Sequence, residues 1–150
     1  MQVVRFTHGG ERLAFPVQSV REVVPVAALS RVFRSPHFVS GVTNVRGEAI
    51  PVFDLACLFG LDAQEEQCGC AVVVESGRFR AAILASQPVD ILDVPEGAGG
   101  MAPDATSAMA AVSRVLEQEG KPLLLVDVGK LFDLPAFRRL REDAEPLLPT

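Results

Sequence analysis

A repeat within the sequence constrains the fold more than any other feature. Gly47 lies seven residues before Asp54, and Gly120 lies seven residues before Asp127. The same apolar spacing follows each aspartate: Leu55, Leu58, Phe59 and Leu61, then Val128, Leu131, Phe132 and Leu134. Upstream, the Gly10-Glu11-Arg12 turn has a counterpart in Gly77-Arg78, and Val20 and Val23 have theirs in Val89 and Leu92. Any one short apolar match arises by chance, but four in the same order describe two related halves, about 1–62 and 68–134. A chain of 150 residues has the length of one domain. The halves are therefore expected to build a single domain over 1–134, with a helix and tail over 135–150.

Within each half the signals are those of strands and tight turns. Val39–Val45 and Ala49–Phe53 flank Arg46-Gly47, a hairpin pattern in which Gly47 can take positive φ at no steric cost. Pro51 cannot donate to a sheet ladder, which places its strand at an edge or a bulge. Asp54 can cap a helix over about Leu55 to Phe59, and Gly60 can close it. Val3–Phe6 with Leu13–Val17, Ala71–Glu75 with Phe79–Leu84, and Val112–Leu116 with Pro122–Val126 read as three more hairpins. Pro95–Ala111, rich in glycine, proline and small residues, reads as a mobile loop. Asp127–Leu134 reads as a second short helix, and Ala136–Ala144 as a third that carries Arg138, Arg139 and Arg141. Many short strands with glycine turns and brief helices predict a mostly β chain, two small barrels packed across a shared apolar core.

Composition removes several function classes. A net charge of −5 argues against a nucleic-acid binder, which needs a clustered positive field. No run approaches the 18 apolar residues of a membrane span, and no signal peptide is evident, so a cytoplasmic location without membrane insertion is expected. Cys57, Cys68 and Cys70 are an odd count that fits reduced thiols. Cys68-Gly69-Cys70 matches no common zinc spacing, so no metal and no cofactor is assigned. His8 and His37 both fall in connectors, the carboxylates are dispersed, and no phosphate-binding glycine loop opens a helix. An enzyme therefore has no support from the residues. A double barrel that holds a small ligand in an apolar groove remains the alternative to a docking protein.

The repeat itself separates fold from function. The first copy has Arg46-Gly47 where the second has Glu119-Gly120, so the fold needs the glycine twice and the arginine once. A guanidinium on a hairpin tip presents a planar fork of five donors, suited to a charged or carbonyl-rich partner, although a solvated turn residue is the simpler reading. Gly41, Asn44, Arg46, Gly47, Ile50, Pro51, Val52, Asp54 and Leu55 form a G-x-x-N-x-R-G-x-x-(I/V)-P-(I/V)-x-D-L run.

That run resembles the signature of the CheW-like adaptor family of bacterial chemotaxis, and the resemblance extends over roughly Val3 to Leu134. It implies a CheW-like fold of two SH3-like five-stranded β-barrels around a shared hydrophobic core, with short helices and a C-terminal helix. It also implies a non-catalytic scaffold that ties the regulatory domain of a CheA-type histidine kinase to the cytoplasmic tips of chemoreceptors. A receptor's helical hairpin would lie in the groove between the barrels. By resemblance, Arg46, Val20, Glu22, Gly41 and Gly47 belong to the partner-binding face, and Asn44, Pro51, Asp54 and Leu55 to the structural motif. The family's Val-Asp-x-Val element is replaced here by Ala85-Ser86-Gln87-Pro88. That departure leaves open a diverged member with a non-receptor partner in motility, pilus or developmental signalling. The chain has no Trp or Tyr, so an exposed Phe33, Phe38 or Phe137 would be a candidate contact, with the core as the default place for each.

Overall fold

A computed structural model describes residues 1–8, 10–26, 38–60, 69–97, 99–101 and 108–138. In the first half of the chain, strands β1 (Gln2–His8) and β2 (Glu11–Pro16) are followed by a 3-10 turn (Val17–Ser19) and β3 (Val20–Pro25). Strands β4 (Val39–Val45) and β5 (Glu48–Phe53) come next, then the short helix α1 (Leu55–Leu58). In the second half, β6 (Cys70–Ser76) and β7 (Phe79–Asp93) precede β8 (Gly100–Met101), a 3-10 turn (Ala108–Ala111), β9 (Val112–Gln118), β10 (Lys121–Val126) and α2 (Val128–Asp133). Residues 135–138 begin a further helical turn, and the rest of the expected C-terminal helix, including Arg139 and Arg141, lies outside the described residues. So do Phe33, His37 and Cys68.

Two sheets share the long strand β7. Its first part, up to Ala85, pairs with β6, while Ser86–Asp93 pairs with β1. One sheet runs β3-β6-β7-β5-β4 and the other β7-β1-β2-β10-β9-β8. The chain is mostly β as expected, and since the ladders do not close on themselves, two open sheets stand where two five-stranded barrels were expected. Nor does each sheet take one half of the sequence. Hairpin β1–β2 joins β9 and β10 of the second half, while hairpin β6–β7 joins β3 and β5 of the first. The exchange is reciprocal down to the register. The hairpins close at His8↔Glu11 and Ser76↔Phe79, which makes Ala14 the counterpart of Ala82. Leu125↔Ala14 and Val52↔Ala82 are accordingly the same parallel pair made twice.

This topology explains the apolar runs. Each sheet has a private interior: Val45, Ile50, Val52, Ala71, Val73 and Ala82 in one, and Val3, Ala14, Val94, Leu116, Leu123 and Leu125 in the other. A larger cluster between the sheets joins Phe6, Leu13, Phe15, Phe53, Leu55, Val72, Ile83, Leu131 and Phe137. Central strands are thus buried on both faces, and Ala71–Val74 reads as continuous rather than alternating. Phe38 and Phe137 sit in this shared core, with Phe137 ringed by Phe38, Phe53 and Phe132 at centroid distances of 5.5, 4.7 and 5.7 Å.

Two expectations are corrected. Phe79–Leu84 is not a strand by itself but the first part of one 15-residue strand that runs on to Asp93. The chain changes sheets there without turning, and Ala85–Pro88 is the crossing. The stretch read as a mobile loop contains β8, paired to β9 at Gly100↔Val115, and a 3-10 turn. Gly99 makes that approach feasible: at φ +89, a Cβ would sit 2.6 Å from Leu116 Cδ2 and 2.7 Å from the Val115 carbonyl oxygen.

Candidate functional site: the first hairpin tip and its cleft

The turn between β4 and β5 places Arg46 at φ +51 and Gly47 at φ +84, left-handed values that match a two-residue hairpin of the twist-compatible kind. Asparagine or glycine usually occupies the first of these positions, so an arginine there costs backbone strain. The Asn44 Oδ1 accepts from the Gly47 N–H at 2.9 Å and pins the turn. The result is a side chain 82% exposed on a fixed support.

Arg46 is not loose in solvent. Its Nε donates to both Glu22 carboxylate oxygens at 3.0 and 3.3 Å, and its Nη2 donates to Oε2 at 3.2 Å. Glu22 belongs to β3 and Arg46 caps β4, the two outer strands of that sheet, so the pair spans the sheet's open seam. The hydrogen bond to Glu22, reinforced by its charge, raises the pKa of the guanidinium. Beneath the pair lies a cavity of about 270 Å³ floored by Val45, Ile50 and Val73 and rimmed by Arg21, Glu22, Arg46, Glu48 and Arg80. Arg80 holds Glu48 at 2.9 Å and Glu75 at 3.5 Å, and Arg21 holds Glu75 at 3.1 Å.

The second hairpin repeats the backbone and changes the chemistry. Glu119 and Gly120 take φ +51 and +75. Register makes Asp90 the counterpart of Glu22, and Arg5 the counterpart of Val73. Arg5 therefore projects where the first site keeps an apolar floor. It donates to Asp90 at 2.6 and 3.0 Å and to Gln118 at 3.0 Å. The Arg5 hydrogen bond holds the Asp90 carboxyl below its usual range.

The structure brings Arg46, Glu22 and Gly47 together at one tip. Val20 is separate, half-buried against the shared core. Gly41 is buried in β4 beside a register shift, with φ +152, a backbone that side-chain-bearing residues rarely adopt. Pro51 lies within β5, which has β4 on one side and β7 on the other. Asp54 caps α1, accepting from the Cys57 N–H at 2.9 Å, and Leu55 is fully buried. Asp127 caps α2 in the same way through Lys130.

His8 was missed by sequence reasoning. Far from lying in a connector, it ends β1, is 4% exposed, and places Nε2 2.6 Å from Asp54 Oδ1. Burial pushes the Asp54 carboxyl up, but hydrogen bonds from His8 and the Cys57 N–H, with the His8 charge, outweigh it and hold the pKa low. The Cys57 thiol is pushed up by burial and by Asp54. Cys70 is buried and donates to the Ala85 carbonyl, and Cys68 falls outside the described residues. Among the described residues no group of three or more His, Cys, Asp and Glu is placed to hold a metal ion. No helix among them is long and apolar enough to cross a membrane.

Two interlocked sheets with a charged hairpin tip define a double-sheet β fold. The chain belongs to the CheW-like family, whose model, described as a CheW-like domain, matches residues 2–136. It is similar to the chemotaxis protein CheW of Thermotoga maritima, 24% identical over 132 residues, which are 88% of this chain and 87% of the relative. It is also similar to that of Klebsiella aerogenes, 26% identical over 135 residues, 84% of this chain and 78% of the relative. A shorter match of 50 residues, 44% identical, links 33% of this chain to 31% of the protein FrzA of Myxococcus xanthus. Among solved structures, the scaffolding protein TtCheW of Thermoanaerobacter tengcongensis superposes with a TM-score of 0.77 at 22% identity, covering 90% of this chain and 89% of that one.

Proposed function

We propose that this chain is a non-catalytic adaptor in a chemotaxis-type signalling pathway. It would join the regulatory domain of a CheA-type histidine kinase to the cytoplasmic tip of a chemoreceptor. Family membership supports the adaptor class, and the observation that carries the docking role is the Arg46–Glu22 pair. An exposed ion pair adds little to folding. This one instead fixes a long side chain in a single orientation, so that docking costs less rotamer entropy. The Nη1 group makes no hydrogen bond to a described residue and is available to a partner carboxylate or carbonyl. The receptor's helical hairpin would dock on a surface to which both sheets contribute. Several weak contacts of this kind become firm when each protein is held by multiple neighbours.

Calorimetry tests the proposal, using the regulatory domain of a histidine kinase from the same genome against wild type and Arg46→Glu. The expected result is binding by the wild type and at least tenfold weaker binding by the variant, with an unchanged circular dichroism melt. Equal affinity of the two proteins would remove Arg46 from the interface, and no binding by the wild type would remove the kinase-adaptor reading.

A further inference from the structure

The two halves differ at one rung of their parallel ladders. Between β10 and β2 the ladder runs Leu123↔Arg12, Leu124↔Leu13, Leu125↔Ala14. Between β5 and β7 it consists of Val52↔Ala82 and Phe53↔Ile83 alone. By the repeat, Pro51 stands where Leu124 stands. Alternation counted from the two-residue turn points the backbone groups of residues 49, 51 and 53 at β7, and counted from Ser76↔Phe79 it points those of 80, 82 and 84 at β5. The next rung upstream would run from the amide of residue 51 to the Arg80 carbonyl, and proline has no N–H. The ladder lacks that rung, and a cleft of about 340 Å³ lined by Gly47–Pro51 and Arg78–Arg80 lies there.

We propose that Pro51 serves to open this cleft, and that an extended acidic segment of the docking partner fills it. This rests on the adaptor reading above and names what the partner inserts. The carbonyl of Arg80, deprived of its ladder donor, faces the cleft and takes an N–H from the incoming segment, a local form of strand addition. Arg78, at the exposed β6–β7 turn, makes no ion pair with any described residue and takes a carboxylate. Ile50 and the half-buried Pro51 and Phe79 supply apolar contact beside it. The second half shows that the fold does not require the opening, since Leu124 closes the corresponding gap with the same strand order.

The test titrates the same kinase regulatory domain against wild type, Pro51→Leu and Arg78→Glu, with amide hydrogen exchange at Ala49 and Arg80 measured free and bound. Pro51→Leu restores the missing donor. It is expected to fold at least as stably as the wild type yet bind at least tenfold more weakly. Arg78→Glu is expected to lose as much, and both amides should exchange more slowly in the wild-type complex. Should Pro51→Leu fail to fold, Arg78→Glu and the exchange decide: weaker binding with slowed exchange supports the cleft, and unchanged values overturn it. Loss of binding in Arg46→Glu, with both cleft variants at wild-type affinity, would keep the adaptor and overturn the cleft. A wild type that does not bind overturns both.

Discussion

The duplicated helix caps allow one contribution to be measured against an internal control. Asp54 and Asp127 do the same local work, each accepting from the N–H three residues on, at 2.9 and 3.0 Å. Asp54 also receives the buried His8 at 2.6 Å, whereas the counterpart of His8 is Ser76, whose hydroxyl lies beside Gly129. Replacing Asp127 by Ala removes a cap and should cost about 1 kcal/mol. Asp54→Ala removes a cap and a partner of a buried polar group, which adds about 1–3 kcal/mol and brings the total to about 2–4. With a urea slope of about 2 kcal/mol per molar, the two midpoints at pH 7 should differ by about 0.5–1.5 M. The pH dependence has a definite sign. The folded pKa of Asp54 is depressed, so its contribution is fully present above the ordinary carboxylate value of about 3.9 and is lost as pH falls through the lower folded value. The wild type's advantage over Asp54→Ala should therefore shrink below about pH 4. Equal urea midpoints for the two alanine variants at pH 7 would refute the assignment of a stabilising link between His8 and Asp54.

Two further outcomes follow from packing. Phe137→Ala empties the centre of the ring cluster with Phe38, Phe53 and Phe132 and should cost about 3–5 kcal/mol, read as a melting temperature lower by about 10 °C. Gly99→Ala meets both a positive φ and contacts below 3 Å, and should cost about 2–4 kcal/mol. Gly120→Ala, with positive φ but open space around it, should cost about 1–2 in the same denaturant assay.

Local chemistry was legible in the sequence wherever it decides the local structure. The Arg46-Gly47 and Glu119-Gly120 turns and the aspartate caps need only their own neighbours, and each lies where the residues predict it. What pairs with what was not legible, because ladder partners lie far apart in the chain. The sequence repeat pairs Val23 with Leu92, but Val23 faces Val72 and Ile91 faces Val4, which shifts the repeat by one residue. Ile91 is the true counterpart, and both residues are exposed, at 65% for Ile91 and 44% for Val23. His8 was hidden for the same reason: nothing near it in sequence shows that Asp54 will fold against it. The role of Pro51 required knowing which neighbour its missing N–H would have faced. Of the candidate site, Arg46, Glu22 and Gly47 converge, whereas Gly41 and Val20 serve the strand and the core.

The exchanged hairpins also set the order in which the chain can fold. Strand β3 has β6 as its ladder partner, and β2 waits for β10, so an emerging first half has only the local hairpins β1–β2 and β4–β5 to form. The parallel pairing of β2 with β10, across most of the chain's length, must be closed before the private core that holds Val3 and Leu125 is sealed, which favours slow, late folding. A nascent chain would hold its apolar edges open until β7 and β10 are made, a window in which aggregation competes with folding. Once closed, neither half can loosen without stripping strands from the other, so the hairpin tip and cleft of the first sheet are held in shape by β6 and β7, strands synthesised after them.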